Sequence, residues 1–230
     1  QRLRIPHDAV TGEIGNPVIE RTILFKAADG KAFNGLNPLL LNGRTDALGL
    51  SFDPEGVAIG NGGHFYIADE YGPSIYEFTS SGQFIRAFAS PQNLLPRTAT
   101  GTPNFVDGRP TVVNGRQDNR GFEGLTLNAS RNRLYAVMQD PLVDEGERKD
   151  GRRSRNVRIV AFDVRSGQPV AQYAYQLESI ATLNAIDPST ADDFSATNQG
   201  RSIGLSAIHA LSDSEFLVLE RDNRGLGVEV

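Results

Sequence analysis

The feature that most constrains this chain is an internal repeat. Glu55-Gly56-Val57-Ala58-Ile59 runs through a glycine-rich turn into Phe65-Tyr66-Ile67-Ala68-Asp69-Glu70. Glu123-Gly124-Leu125-Thr126-Leu127 runs through Asn128-Ala129-Ser130 into Leu134-Tyr135-Ala136-Val137-Met138-Gln139-Asp140. A degenerate third copy joins Ser206-Ala207-Ile208 to Phe216-Leu217-Val218-Leu219-Glu220. A unit of this size cannot bury its apolar face alone, so repeated units stack into an array. Two further apolar runs follow each of the first two copies: Ile75–Phe78 and Phe84–Ala89, then Val157–Asp163 and Val170–Gln176. Ser80-Ser81-Gly82 and Arg165-Ser166-Gly167 supply hairpin turns between them. Four antiparallel strands per repeat is the make-up of a propeller blade.

The remaining patterning agrees. Short runs rich in Val, Ile, Tyr and Phe, separated by Gly, Asn, Asp and Ser, mark an antiparallel all-β chain. Thr22–Lys26 reads as a further strand, and short helices fit only at Pro91–Leu95 or Glu178–Asn184. The expected fold is therefore all-β, a β-propeller of four-stranded antiparallel blades forming a single domain over residues 1–230. Its repeat units lie near residues 53–90, 121–176 and 203–230. The strands amount to about four blades, and a closed ring takes about 4 to 8. The chain thus reads as a partial, N-terminal portion of a longer propeller. Two insertions stretch the second unit: residues 91–120, rich in Pro and Gly, and residues 141–156, with mixed charge from Asp144 to Arg155. Loops of this kind lie on propeller faces, where binding sites are built.

Composition excludes several classes. A net charge of −5 gives no footprint for nucleic acid, which needs clustered positive charge. No run approaches the roughly 18 apolar residues of a membrane span. Without cysteine there is no disulfide, thiolate metal site or Cys nucleophile. His7, His64 and His209 are scattered, without metal-ligand spacing. The first residue is not Met and no signal-like segment is present, so the chain begins after processing or is a piece of something longer.

The acids carry the chemistry. Glu55 and Glu123 occupy equivalent places just before the inner strand of two repeats, each followed by glycine. Asp69-Glu70, Gln139-Asp140 and Glu220 end the second strands. In a propeller these positions converge on one mouth of the channel. Converging carboxylates raise each other's pKa unless a cation neutralises them. An oxygen-only donor set suits a hard cation, and calcium takes roughly 6 to 8 oxygens in flexible geometry. Acids at strand ends also serve simply as turn acceptors or arginine partners, and both readings stand at this point. Asp118-Asn119-Arg120-Gly121 recurs as Asp222-Asn223-Arg224-Gly225. Its Asn and Gly suit turns, while Arg120, Arg221 and Arg224 fall on the acidic rim. Such a rim suits a small anionic substrate held by arginine and bridged by a metal.

The stretches "DPEGVAIG…FYIADEYGPSIYEF…G", "NRGFEGLTL…LYAVMQDPL" and "FLVLERDNRG" together resemble the phytase-like family known by the phrase "esterase-like activity of phytase". The resemblance runs from about residue 46 to the C-terminus. It implies an exported protein, periplasmic or extracellular, with a propeller-like fold that continues past Glu220-Arg221-Asp222. The family's recurrent acidic positions fall on Glu55, Asp69, Glu70, Glu123 and Glu220, with Gln139 standing where an acid is usual. The first functional expectation is a calcium-dependent phosphoesterase acting on phosphate esters. Glu55, Glu70, Glu123 and Glu220 would hold calcium, Arg120 and Arg221 would bind the substrate, and Glu55, Asp69 and Glu123 would be catalytic. The second is a non-catalytic binding propeller with a structural calcium ion. The third is a calcium-dependent lactonase or arylesterase. Oligomeric state is not legible.

Overall fold

The computed structural model describes residues 1–36, 51–186, 188 and 197–222. Two four-stranded antiparallel sheets dominate it. The first blade runs β3 (Pro54–Ile59), β4 (Phe65–Asp69), β5 (Ser74–Phe78) and β6 (Phe84–Ala87), each strand paired to the next. The second runs β9 (Phe122–Leu127), β10 (Arg133–Met138), β11 (Asn156–Asp163) and β12 (Pro169–Gln176) in the same order. A third begins with the antiparallel pair β13 (Ile203–Ala210) and β14 (Phe216–Asp222). The inner strands lie side by side, with β9 between β3 and β13. These sheets are successive blades of a β-propeller, and among the described residues they do not close a ring.

What lets the inner strands approach is the glycine of each Glu-Gly pair. A Cβ on Gly56 would sit 2.6 Å from Leu125 N, and one on Gly124 would sit 2.9 Å from Ile208 N. The backbones therefore touch directly, which only a residue without a side chain permits. The third copy has alanine at this place, and Ala207 is exposed. Main-chain hydrogen bonds stitch the same seam: Gly121 N donates to Glu70 O at 3.0 Å and Leu205 N to Gln139 O at 3.0 Å.

Behind the seam one apolar core runs through all three blades, including Tyr66, Ile75, Phe122, Leu134, Val160, Phe162 and Leu205. A second, aromatic cluster lies on the first blade alone. Phe52, Phe78, Tyr76 and Phe84 meet Phe25 and Phe33 from the N-terminal segment, with Phe25 and Phe78 ring centres 4.4 Å apart. Each buried aromatic contributes roughly 1.5–3 kcal/mol. Thr22–Lys26, expected as a strand, lies in this arm: it forms only isolated bridges, Lys26 with Ala32 and Gln83, with Phe25 packed into the aromatic clamp rather than set in a ladder.

The N-terminal residues add a small hairpin, β1 (Arg2–Arg4) with β2 (Val18–Arg21), which lacks an alternating apolar signal. A helix forms at Ile180–Ile186, where one was expected. Pro91–Leu95 is a turn closed by Leu94 N on Pro91 O. The first insertion holds the hairpin β7 (Arg97–Thr98) with β8 (Val112–Asn114), and the second holds 3₁₀ turns at Glu147–Lys149 and Gly151–Arg153. The second copy of Asp-Asn-Arg-Gly begins at Asp222, and Asn223, Arg224 and Gly225 lie outside the described residues.

Candidate functional site

Each inner strand carries a bulge at the same place. Pairing passes from Pro54–Asp69 to Val57–Ile67 in the first blade. It passes from Phe122–Met138 to Gly124–Val137 in the second, and from Leu205–Glu220 to Ala207–Leu219 in the third. The supernumerary positions are Glu55-Gly56, Glu123 and Ser206. Glu55 and Glu123 thus lie within their strands rather than before them as expected, and the bulge re-aims their side chains out of the sheet's alternation. The second strands answer in register. Glu70 N donates to Asp53 O and Gln139 N to Gly121 O, each at 3.0 Å, while Arg221 pairs with Gly204.

Three equivalent side-chain pairs result, and their charge changes from blade to blade. The first blade places Glu55 beside Glu70. The second places Glu123 beside Gln139, whose amide opposes the rise of the Glu123 carboxyl. The third places Ser206 beside Arg221, with Arg221 Nε donating to Ser206 Oγ at 2.8 Å.

The first pair is the least compensated one. With Asp53 it brings three carboxylate oxygens within 4.8 Å of one another. Glu70 is 4% exposed, and its Oε1 has no hydrogen-bond partner among the described residues. Arg120 Nη1 stands 3.5 Å from that oxygen, close enough for attraction but not aligned to donate. Burial, then the neighbouring Glu123 carboxylate, pushes the Glu70 carboxyl up to about 8 against the pull of Arg120. Burial also raises Glu55, reinforced by Glu123 and Asp53. A buried carboxylate oxygen without a donor, between two further carboxylates, is the local arrangement a cation would satisfy. Asp53, Glu55 and Glu70 are the residues placed to share one.

The second blade is neutralised. Arg221 Nη2 lies 3.7 Å from Glu123 Oε1, while Glu123 Oε2 is buried without a hydrogen bond. Burial raises the Glu123 carboxyl, opposed by Arg221 and Gln139. Asp140 is held by Arg120 Nε at 3.1 Å and Arg201 Nη1 at 3.6 Å. Its burial still pushes it up to about 6. Arg120 therefore spans two blades, between Glu70 and Asp140.

Two expected site residues are occupied elsewhere. Asp69 accepts from Asp53 N at 3.0 Å, Tyr71 N at 3.2 Å and Gly72 N at 3.3 Å, so its carboxylate caps the loop that follows β4. Glu220 accepts from Tyr175 Oη at 2.6 Å and Glu178 N at 2.9 Å, fastening the third blade to the outer strand of the second. Neither points into the cluster. Arg120 and Arg221, expected to bind substrate, are engaged by the acids. Gln139 and Asp140 belong to the rim, as their place at a strand end implies, and Asp53 and Arg201 join them. Asp53 had a signal, standing two residues before Glu55, but Asp-Pro reads equally well as a turn. The sequence around Arg201 holds no such signal.

Residues 2–230 match the family described as phytase-like, esterase-like activity of phytase. The chain belongs to this family. An uncharacterized secreted protein of Arthroderma benhamiae is 33% identical over 185 aligned residues, covering 76% of this chain and 35% of the relative. The chain thus spans about a third of the length of that curated relative. Among solved structures, the β-propeller domain of Myceliophteria thermophila Cps50 (Swd1) aligns over 96% of this chain and 61% of its own, at 8% identity and TM-score 0.26. The Dos1 propeller aligns over 73% and 42%, at 10% identity and TM-score 0.27. The blade assignment rests on the strand order and seam described above. No helix among the described residues is long and apolar enough to cross a membrane.

Proposed function

We propose that this member of the phytase-like family is an exported, calcium-dependent phosphoesterase whose reaction centre lies at the first two blade mouths. The observation that carries the reading is the Asp53–Glu55–Glu70 cluster with its buried, donorless Glu70 oxygen. The donor set is all oxygen, which suits calcium over softer ions. Calcium held there would supply Lewis acidity toward a phosphoryl oxygen and lower the pKa of a water. Glu123 is the proton acceptor: its Oε2 has no hydrogen bond among the described residues, its basicity is raised by burial, and Arg221 orients it from the other oxygen. Arg120 and Arg221 add positive charge at the same rim, which favours an anionic ester. Export is supported by the secreted relative.

The test is hydrolysis of a generic aryl phosphate by the full chain, with calcium and then with chelator. Calcium-dependent turnover, cut by orders of magnitude in Glu55→Gln and Glu123→Gln, is expected. Unchanged turnover in both variants overturns the site. Carboxyl esters and lactones run alongside, and preference for either replaces phosphoester by an arylesterase or lactonase reading. The engagement of Arg120 and Arg221 by the acids favours a second reading, a binding propeller with a structural cation. That reading gives calcium-dependent melting without hydrolysis.

A further inference from the structure

The two insertions in the second repeat fold against each other and flank an open cleft of about 800 Å³. Part of its wall is apolar, formed by Pro110, Val112 and Val143. Its charged lining is Arg109, Lys149 and Arg152, with Asp144 as the acid. Asp144 offsets one of these positive charges and acts on Arg109, but does not cancel the set. Its oxygens accept from Asn114 Nδ2 at 3.1 Å and Gly115 N at 3.3 Å, which ties it to the end of β8. Behind the wall a single carboxylate, Asp150, serves three guanidiniums: Arg109 at 3.3 Å, Arg152 at 2.8 Å and Arg153 at 3.8 Å. Lys149 has no ion pair among the described residues. It stands on left-handed backbone, φ 55, next to Arg148 at φ 58, a conformation side-chain-bearing residues rarely adopt. The surplus positive charge arises in a chain whose net charge is −5, so it is local and not a reflection of overall composition.

A cationic rim over an apolar wall matches a ligand with a multiply charged head and an apolar body. Guanidinium and ammonium groups together suit a phosphoryl head through charge-assisted hydrogen bonds; the Nε–Nη2 fork of Arg152 is held by Asp150, which leaves its Nη1 to donate. We propose that the cleft between the insertions binds a small organic phosphate or phosphonate. Its head would lie on Lys149, Arg152 and Arg109, and its apolar body against Pro110, Val112 and Val143. None of these residues belongs to the acid cluster, and binding here needs neither cation nor turnover.

The test is equilibrium titration of phenylphosphonate into the full chain in chelator, followed by calorimetry, with inorganic phosphate in parallel. Saturable binding is expected, with phenylphosphonate about tenfold tighter than inorganic phosphate because the apolar wall is used. Lys149→Glu, which breaks no ion pair, should weaken phenylphosphonate about tenfold with an unchanged melting temperature, and Arg152→Gln should weaken it by several-fold. Equal affinity in the parent and Lys149→Glu overturns the proposal. So does inorganic phosphate binding as tightly as phenylphosphonate, or an absence of saturation. Because the titration is run without calcium and without turnover, its failure leaves the phosphoesterase reading standing, and the reverse also holds.

Discussion

The first two blades share a strand order, a bulge and a Glu-Gly pair, yet their mouths differ electrostatically. Where the first has Glu70, the second has Gln139, and this exchange separates a cluster of mutually repelling acids from a lone acid beside a neutral amide. The third blade continues the trend with Ser206 and Arg221. Equivalent strand positions thus present like charge, then compensated charge, then positive charge around one rim. The lesson is that the sheet and the site are specified by different residues: the glycines and the apolar alternation build the blade, and one or two bulge-side residues set its chemistry.

The largest effect should fall on what the blades share. Gly124→Ala and Gly56→Ala each force a methyl into a neighbouring backbone and should destabilise by roughly 3 kcal/mol, alike in both blades. Denaturant midpoints check this, and a large inequality between the two would break the equivalence of the seams. Next comes the exchange itself. Glu70→Gln should raise stability in chelator at pH 8 by on the order of a few kcal/mol and abolish any calcium-induced rise in melting temperature. The reciprocal Gln139→Glu sets a second acid against Glu123 and should lower stability by about 1–2 kcal/mol.

The pH dependence sharpens the same contrast. Folding moves the Glu70 carboxyl from its usual 4.5 up to about 8. Between those values the folded chain keeps a proton that the unfolded chain has released. In chelator, stability should therefore fall as pH rises from about 4.5 to about 8 and level off above, and calcium should restore most at the alkaline end. Melting curves across that range measure it, and a flat profile in the parent would contradict the buried state of Glu70. The smallest effect is expected at Glu220→Gln, about 1 kcal/mol, with the calcium response intact, since that carboxylate serves Tyr175 and Glu178 rather than the cluster.

The blades were legible because their signals are local: alternation, hairpin turns and a repeated Glu-Gly. Arg133–Met138 falls on the strand expected from its pattern, and most others fall within a few residues of it. The arm at Thr22–Lys26 carries strand-like residues, but its fate depends on distant aromatic partners of Phe25, namely Phe52, Phe65 and Phe78. The site was half legible for a related reason. Glu55, Glu70 and Glu123 announce themselves by repetition. Whether an acid at a strand end turns inward or caps a loop is decided by register, so Asp69 and Glu70, adjacent in sequence, take opposite roles. Asp140 and Arg201 meet only after the chain has passed through the second insertion and the two outer strands of the second blade.

The glycine seam has a consequence for how such a chain can change over time. Because main chain rests on main chain there, the separation of the three bulges is fixed by backbone atoms that every residue possesses. The apolar interior behind it can exchange Leu for Ile or Val for Met without moving the rim. A lineage can then rewrite its hydrophobic core and its rim chemistry as independent texts, with the glycines as the binding that keeps the pages in order.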